Sequence, residues 1–359
     1  CASVCTYANY MKIYDVIIIG GGQAGLSSAR YIQKLGLDFL ILEKEKQLGG
    51  SWAKHYESLK LFSPDVYSSL PDLEFPKVIS SYPTKNETVT YLKDYASYFK
   101  FPVETEIQVV GISKVNQIFE LKSDNNQNFF AKSIVLATGT FGFPYLPNIK
   151  GLETFNGQGL HSSEYQSPTA FKNQKITVVG GGNSAVQIAY ELSKVAKVSI
   201  AIKSKISFVP QKIFGKDIHF WLKWSGLDHS KFLKDKSPPV LDTGIYRKHI
   251  KSKAIDVKPM FDEVVPEGVR WNKTNIVEEV DTLLFATGFS FQFPMLSNFE
   301  ILNKQGKILH KQGIATEVAG LYFNGYPNLN NFSSGTIRGA AVGPSLWISH
   351  LSNYLKTNF

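Results

Sequence analysis

The chain has 359 residues, 43% of them hydrophobic and 19% charged, a balance that suits a globular protein of more than one domain. No apolar run approaches the ~18 residues of a membrane span, so a spanning segment is excluded and no membrane partner is expected. The net charge of +9 rests on 35 lysines and four arginines (Arg30, Arg247, Arg270 and Arg338), a poor match to the bidentate arginine contacts of a nucleic-acid surface.

The only cysteines, Cys1 and Cys5, offer neither a C-x-x-C pair nor a zinc ligand set. No metal is expected, and a reducing, cytoplasmic compartment fits. Met11 opens a segment that reads as a sensible start, so residues 1–10 are set apart from the fold.

Tyr14 to Ile19 read as a buried strand that runs into Gly20-Gly21-Gly22-Gln23-Ala24-Gly25. A helix from about Leu26 to Leu35 ends at Gly36, and a second strand, Asp38 to Leu42, closes on Glu43. Strand, glycine turn, helix and strand are the context that a dinucleotide fingerprint needs. Gly20 permits the tight turn, Gly22 admits a pyrophosphate to the backbone, and Gly25 lets helix and strand approach. The helix N-terminus offers amides to phosphate, and Glu43 can accept from a ribose diol.

The pattern repeats. Ile176 to Val179 lead into Gly180-Gly181-Gly182-Asn183-Ser184-Ala185, then a helix from about Val186 to Ala196 and a strand from Val198 to Ile202. Ala185 replaces the third glycine with another small residue. Glu43 follows Gly20 by 23 residues, and Lys203 follows Gly180 by the same 23. A cation there, with Ser204 and Lys205 beside it, suits a 2′-phosphate that a glutamate would repel. The first copy should therefore take FAD and the second NADPH, with NADH left open. Ser133 to Ala137 end in Ala137-Thr138-Gly139, and Thr282 to Ala286 end in Ala286-Thr287-Gly288, so each fingerprint is followed by a similar crossing segment. Phe141 to Pro147 read as a linker.

Four stretches together resemble the flavin-containing monooxygenases: the first glycine turn with Glu43 and Gly49-Gly50-Ser51-Trp52; Phe155-x-Gly157-x-x-x-His161-x-x-x-Tyr165; the second glycine turn; and Ala286-Thr287-Gly288. Leu59-x-Leu61-Phe62-Ser63-Pro64 is similar to a compact bacterial subgroup. The resemblance implies an α/β fold of two Rossmann-like dinucleotide-binding domains, the NADPH domain (155–275) inserted into the FAD domain (11–150 and 282–359). It also implies oxygenation of small sulfides or amines by NAD(P)H and O2 through a flavin hydroperoxide.

Cofactor contacts are expected from Gly20, Gly22, Gly25, Glu43, Trp52, Thr138, Gly180, Gly182, Ser184, Ala185, Lys203, Ser204, Lys205, Thr287 and Gly288. Larger family members carry an asparagine where this chain has Phe62 or Ser63, so the catalytic residues stay open, with Phe62, Ser63 and Arg338 as candidates. His161 is expected to be structural. Trp52, Phe62, Tyr67 and Phe289 could wall a dry pocket, and Ser333 to Ala341 should lead into a helix to about Leu355. Ser225 to Pro259 read as a flexible cover. The expected partners are a small-molecule substrate and O2, with a homodimer left open. An FAD-dependent NADPH reductase serving a protein acceptor and an idle redox sensor are the alternatives.

Overall fold

The computed structural model describes residues 12–227, 239–290 and 292–359. Residues 1–10, with both cysteines, and the middle of the Ser225–Pro259 stretch lie outside these. No helix among the described residues is long and apolar enough to cross a membrane.

The run Val16-Ile17-Ile18-Ile19 is apolar at every position because both faces of its strand are covered. Val16 and Ile18 enter one core, and Ile17 and Ile19 another. Full burial of each such side chain contributes roughly 1.5–3 kcal/mol. The strand Ile13–Ile19 lies inside a nine-stranded sheet, parallel to Asn128–Leu136 on one side and to Phe39–Leu42 on the other. Helices Gln23–Lys34, Lys85–Tyr98 and Ile348–Asn358 contribute to the first core, while the antiparallel strands Val109–Val115 and Ile118–Ser123 cover the opposite face. Leu321–Phe323 joins the sheet beside Asn128–Leu136.

A second sheet of five parallel strands runs Ile255–Pro259, Lys197–Ile202, Lys175–Val179, Thr282–Phe285, Gln158–His161. Every one of its strands falls in the chain between Asn128–Leu136 and Leu321–Phe323, so one Rossmann-like α/β unit is inserted into another.

Three expectations need correction. Thr282–Phe285, expected to open the second FAD-domain segment, is instead a strand of the inserted sheet, paired with Lys175–Val179 and Gln158–His161. The C-terminal helix is broken: Ile337–Val342 gives way to a 3-10 turn at Gly343–Leu346, and a second helix runs Ile348–Asn358. Pro344 lacks the amide that a continuous helix would need. The later half of Ser225–Pro259 is no loose cover. Val240–Asp242 is a strand, Ile245–Lys251 a helix, and Ile255–Pro259 an edge strand of the second sheet.

Candidate active site at the paired glycine turns

The two fingerprints fold alike down to single hydrogen bonds. Gly20 N–H donates to the Leu42 carbonyl at 2.8 Å, and Gly180 N–H to that of Ala201 at 3.0 Å. Ala137 N–H reaches the Ile19 carbonyl and Ala286 N–H that of Val179, both at 2.9 Å. Gly20 and Gly180 have φ of +108° and +133°. A Cβ on them would lie 2.5 Å from the Ala137 oxygen and 2.4 Å from the Ala286 oxygen. Each crossing segment therefore presses its carbonyl against the first glycine of its own turn, which ties the Ala-Thr-Gly segments to the fingerprints.

Beyond the turns, helices Gln23–Lys34 and Asn183–Leu192 begin at Gly22 and Gly182 with no side-chain cap and no acid in the first turn. Lys85–Tyr98, by contrast, has a complete capping box from Thr84 and Glu87. Bare N-terminal amides at the ends of parallel strands fit an anionic phosphate. The turns leave room for one: a Cβ at Gly182 would meet nothing within 4 Å, and at Gly22 only the Gly50 Cα at 3.5 Å. Gly25 is different, since its Cβ would sit 1.8 Å from the Gly20 oxygen. In the second copy Ala185 takes that place and is fully buried, and Ser184 stands in the first helical turn.

The two strand ends differ in charge. Glu43 is buried; one carboxylate oxygen accepts Gly21 N–H at 2.6 Å and the other Glu45 N–H at 2.9 Å. Lys203, Ser204 and Lys205 are exposed just past Ile202. The residues fit a ribose-bound nucleotide at the first turn and a phosphorylated one at the second.

Gly49 and Gly50, at φ +125° and +59°, pass over the first turn, and the chain then bridges the two units. Trp52 packs against the cores of both, with Nε1 donating to Gln23 Oε1 at 2.8 Å. Tyr56 and Leu59 enter the core beneath helix Asn183–Leu192, while Leu61 returns to the first core. Tyr165, the end of the His-centred segment, donates to Glu191 at 2.9 Å.

His161 joins the crossings. Its Nδ1 accepts Ser163 N–H at 3.1 Å, so the neutral ring carries its proton on Nε2 and donates to the Gly288 carbonyl at 3.0 Å. Burial lowers its pKa. That carbonyl also accepts Tyr145 N–H at 2.9 Å, and Ser290 N–H donates to Phe143 at 2.9 Å. Thr287 donates to Tyr145. The outgoing and returning crossings are thus paired antiparallel and pinned by His161, as a structural role requires. A file of rings, Trp52, His55, Phe141, Phe289 and His161, lines this junction at centroid spacings of 4.8–5.8 Å. Thr138 shares a 2.9 Å hydrogen bond with the buried Tyr326 hydroxyl.

Phe62 is 37% exposed, and its carbonyl accepts Gln211 Nε2 at 3.0 Å. Ser63 pairs with Ser68. Arg338 lies half-buried in the short helix Ile337–Val342, away from the Phe62 segment in the chain.

Three residues make contacts near the site that no local sequence pattern marks. Asn324 Nδ2 contacts the Ala24 and Ala340 carbonyls and Ser28 Oγ at 3.0–3.1 Å, joining both helices beside the first turn. Asp217 accepts from Tyr82 at 2.6 Å, Gln211 at 2.8 Å and His219 at 2.7 Å. Burial opposes its charge, yet the hydrogen bonds from His219, Tyr82 and Gln211 hold its pKa at about 2. Gln211 carries that hub to Phe62. No local pattern marks such contacts; an Asp-x-His pair in a lysine-rich stretch was the one available signal.

Residues 17–325 match the family described as pyridine nucleotide-disulphide oxidoreductase. The oxidoreductase CzcO-like of Geobacillus kaustophilus is 33% identical over 350 residues, 95% of this chain and 99% of that protein. Indole-3-pyruvate monooxygenase YUCCA1 of Oryza sativa is 27% identical over 83% of this chain and 81% of its own. The solved flavin-containing monooxygenase from Stenotrophomonas maltophilia superposes with a TM-score of 0.86 at 27% identity, covering 96% of this chain and 99% of that one.

Proposed function

The chain belongs to the pyridine nucleotide-disulphide oxidoreductase family, and from that premise we propose that this oxidoreductase is an FAD- and NADPH-dependent monooxygenase of small soft nucleophiles, sulfides or amines. The observation that carries this reading is the pair of like-bonded, uncapped glycine turns whose equivalent strand ends bear opposite charges, Glu43 and Lys203. A carboxylate suits the ribose of FAD, and a lysine suits the 2′-phosphate of NADPH. The flavin-containing monooxygenase likeness at 27% identity favours oxygen as acceptor. Disulfide reduction through paired cysteines lacks its residues, since Cys1 and Cys5 are the chain's only ones.

FAD, once reduced by NADPH, would activate O2 for transfer of one oxygen atom to the substrate. The chain's part is to hold and to shield. Gly20, Gly22 and Gly25 with Glu43 would seat FAD. Gly180, Gly182, Ser184 and Ala185 would seat the NADPH pyrophosphate, with Lys203, Ser204 and Lys205 at its ribose end. Trp52, His55, Phe141 and Phe289 form a ring-lined junction between the two units, with Phe141 at its solvent edge, that would help to keep water from the reacting atoms. Thr138, Thr287 and Gly288 fix the crossings that hold the two nucleotide sites in register.

Rapid mixing of the NADPH-reduced protein with O2 tests the reading. A near-ultraviolet band that persists between the reduced and oxidised spectra, and decays faster when a thioether is added, is expected. Direct return to the oxidised spectrum would move the assignment to a reductase.

A further inference from the structure

Phe214 and Gly215 form the two-residue loop of a hairpin in which Lys212 pairs with Asp217 and Ile213 with Lys216. Both loop residues have positive φ, 49° and 74°. That geometry favours Asn-Gly and disfavours a bulky side chain. Yet the residue is phenylalanine, and it is 92% exposed.

Helix Ile218–Ser225 follows at once, and Trp224 is 75% and Leu227 51% exposed. Trp221 braces the group, its ring 6.3 Å from Phe214 and 6.1 Å from Trp224, with Nε1 donating to the Ile213 carbonyl at 3.0 Å. Lys212, Lys216 and Lys223 are exposed on the same hairpin and helix, Lys216 over the Phe220 ring at 5.7 Å and Lys223 over the Tyr67 ring at 5.9 Å. The only acid from Lys205 to Leu227 is Asp217, turned inward to Tyr82, Gln211 and His219.

We propose that this finger docks the protein on an anionic lipid surface, with Phe214, Trp224 and Leu227 in the interfacial zone and Lys212, Lys216 and Lys223 at headgroup phosphates. Aromatic tips on cationic surroundings suit the boundary between headgroups and acyl chains. Charge complementarity selects the anionic bilayer over a second copy, whose finger would set lysine against lysine. An acidic protein would answer the lysines but not a projecting tip of rings. Composition could not disclose this surface, because it shows neither which aromatics project nor that docking needs no spanning helix.

Co-sedimentation of the purified full chain with phosphatidylcholine vesicles, alone or with about one-third phosphatidylglycerol, tests the proposal. The chain is expected to pellet with the anionic vesicles only, and to be released by salt. The double variant Phe214→Asn with Trp224→Ser should lower the bound fraction about tenfold while flavin content and NADPH oxidation stay unchanged. Phe214→Asn alone should raise the Tm, because asparagine suits the turn, while weakening vesicle binding. A merely structural phenylalanine would lose stability instead. Absence of binding to anionic vesicles, or equal binding by the double variant, would overturn the proposal. So would a wild-type dimer in light scattering that the variant dissolves, or binding to polyglutamate without binding to vesicles.

Discussion

The imidazole Nε2 of His161 donates to the carbonyl of Gly288 across 3.0 Å, and that single oxygen also receives the Tyr145 amide at 2.9 Å. Both crossings between the two units thus meet at one acceptor. His161→Ala would remove one of the two donors to the Gly288 carbonyl and leave the Ser163 amide without its side-chain acceptor, at a cost of about 1 kcal/mol. A lowered Tm with retained flavin is expected from thermal unfolding followed by flavin fluorescence.

The same histidine shapes the pH response together with His55. Burial, then the nearby Lys85 charge, lowers the His55 pKa to about 4, and burial lowers that of His161. The unfolded chain, with ordinary values near ~6.5, binds protons that the folded chain refuses. The stability contributed by the neutral rings is complete above that value and is lost as pH falls toward 4. Tm measured from pH 7.5 down to about 4 should fall, and His55→Phe should flatten the decline.

Two glycines of equivalent motifs should respond oppositely to alanine. Gly25→Ala drives a methyl to 1.8 Å from the Gly20 oxygen. It should destabilise by about 1–3 kcal/mol and release flavin. Gly182→Ala meets nothing within 4 Å, so the fold should be unchanged. Its methyl would occupy the phosphate approach and raise the KM for NADPH about tenfold, ~1.4 kcal/mol. Circular dichroism melting and steady-state kinetics on both variants separate packing from ligand approach.

Lys203→Glu should shift the coenzyme preference from NADPH toward NADH. The readout is the ratio of kcat/KM values for the two coenzymes. An unchanged ratio would mean that Lys203 does not read the 2′-phosphate.

Asn324→Leu removes the amide that joins helix Gln23–Lys34 to helix Ile337–Val342. A loss of about 1–3 kcal/mol is expected, with weaker flavin retention, and chemical denaturation of holo and apo protein distinguishes the two effects.

The glycine turns and their strands could be read in the chain because they are local: Gly20 to Glu43 spans one βαβ unit with its own periodicity and breaks. The Ala137 and Ala286 segments could be noticed as echoes, but not why they recur, since their carbonyls meet Gly20 and Gly180 only in three dimensions. The Asn324 contacts join residues about 300 apart in the chain. Tyr82 and Asp217 are 135 apart. Periodicity carries no trace of such pairs. The break at Pro344 was marked by the residue itself, and small residues on either side masked it.

The antiparallel pairing of the stretches around Tyr145 and Gly288 leaves the two ends of the inserted unit one hydrogen bond apart. To the outer unit, the whole second nucleotide module is therefore no larger an interruption than a hairpin loop would be, and carrying it adds little closure entropy.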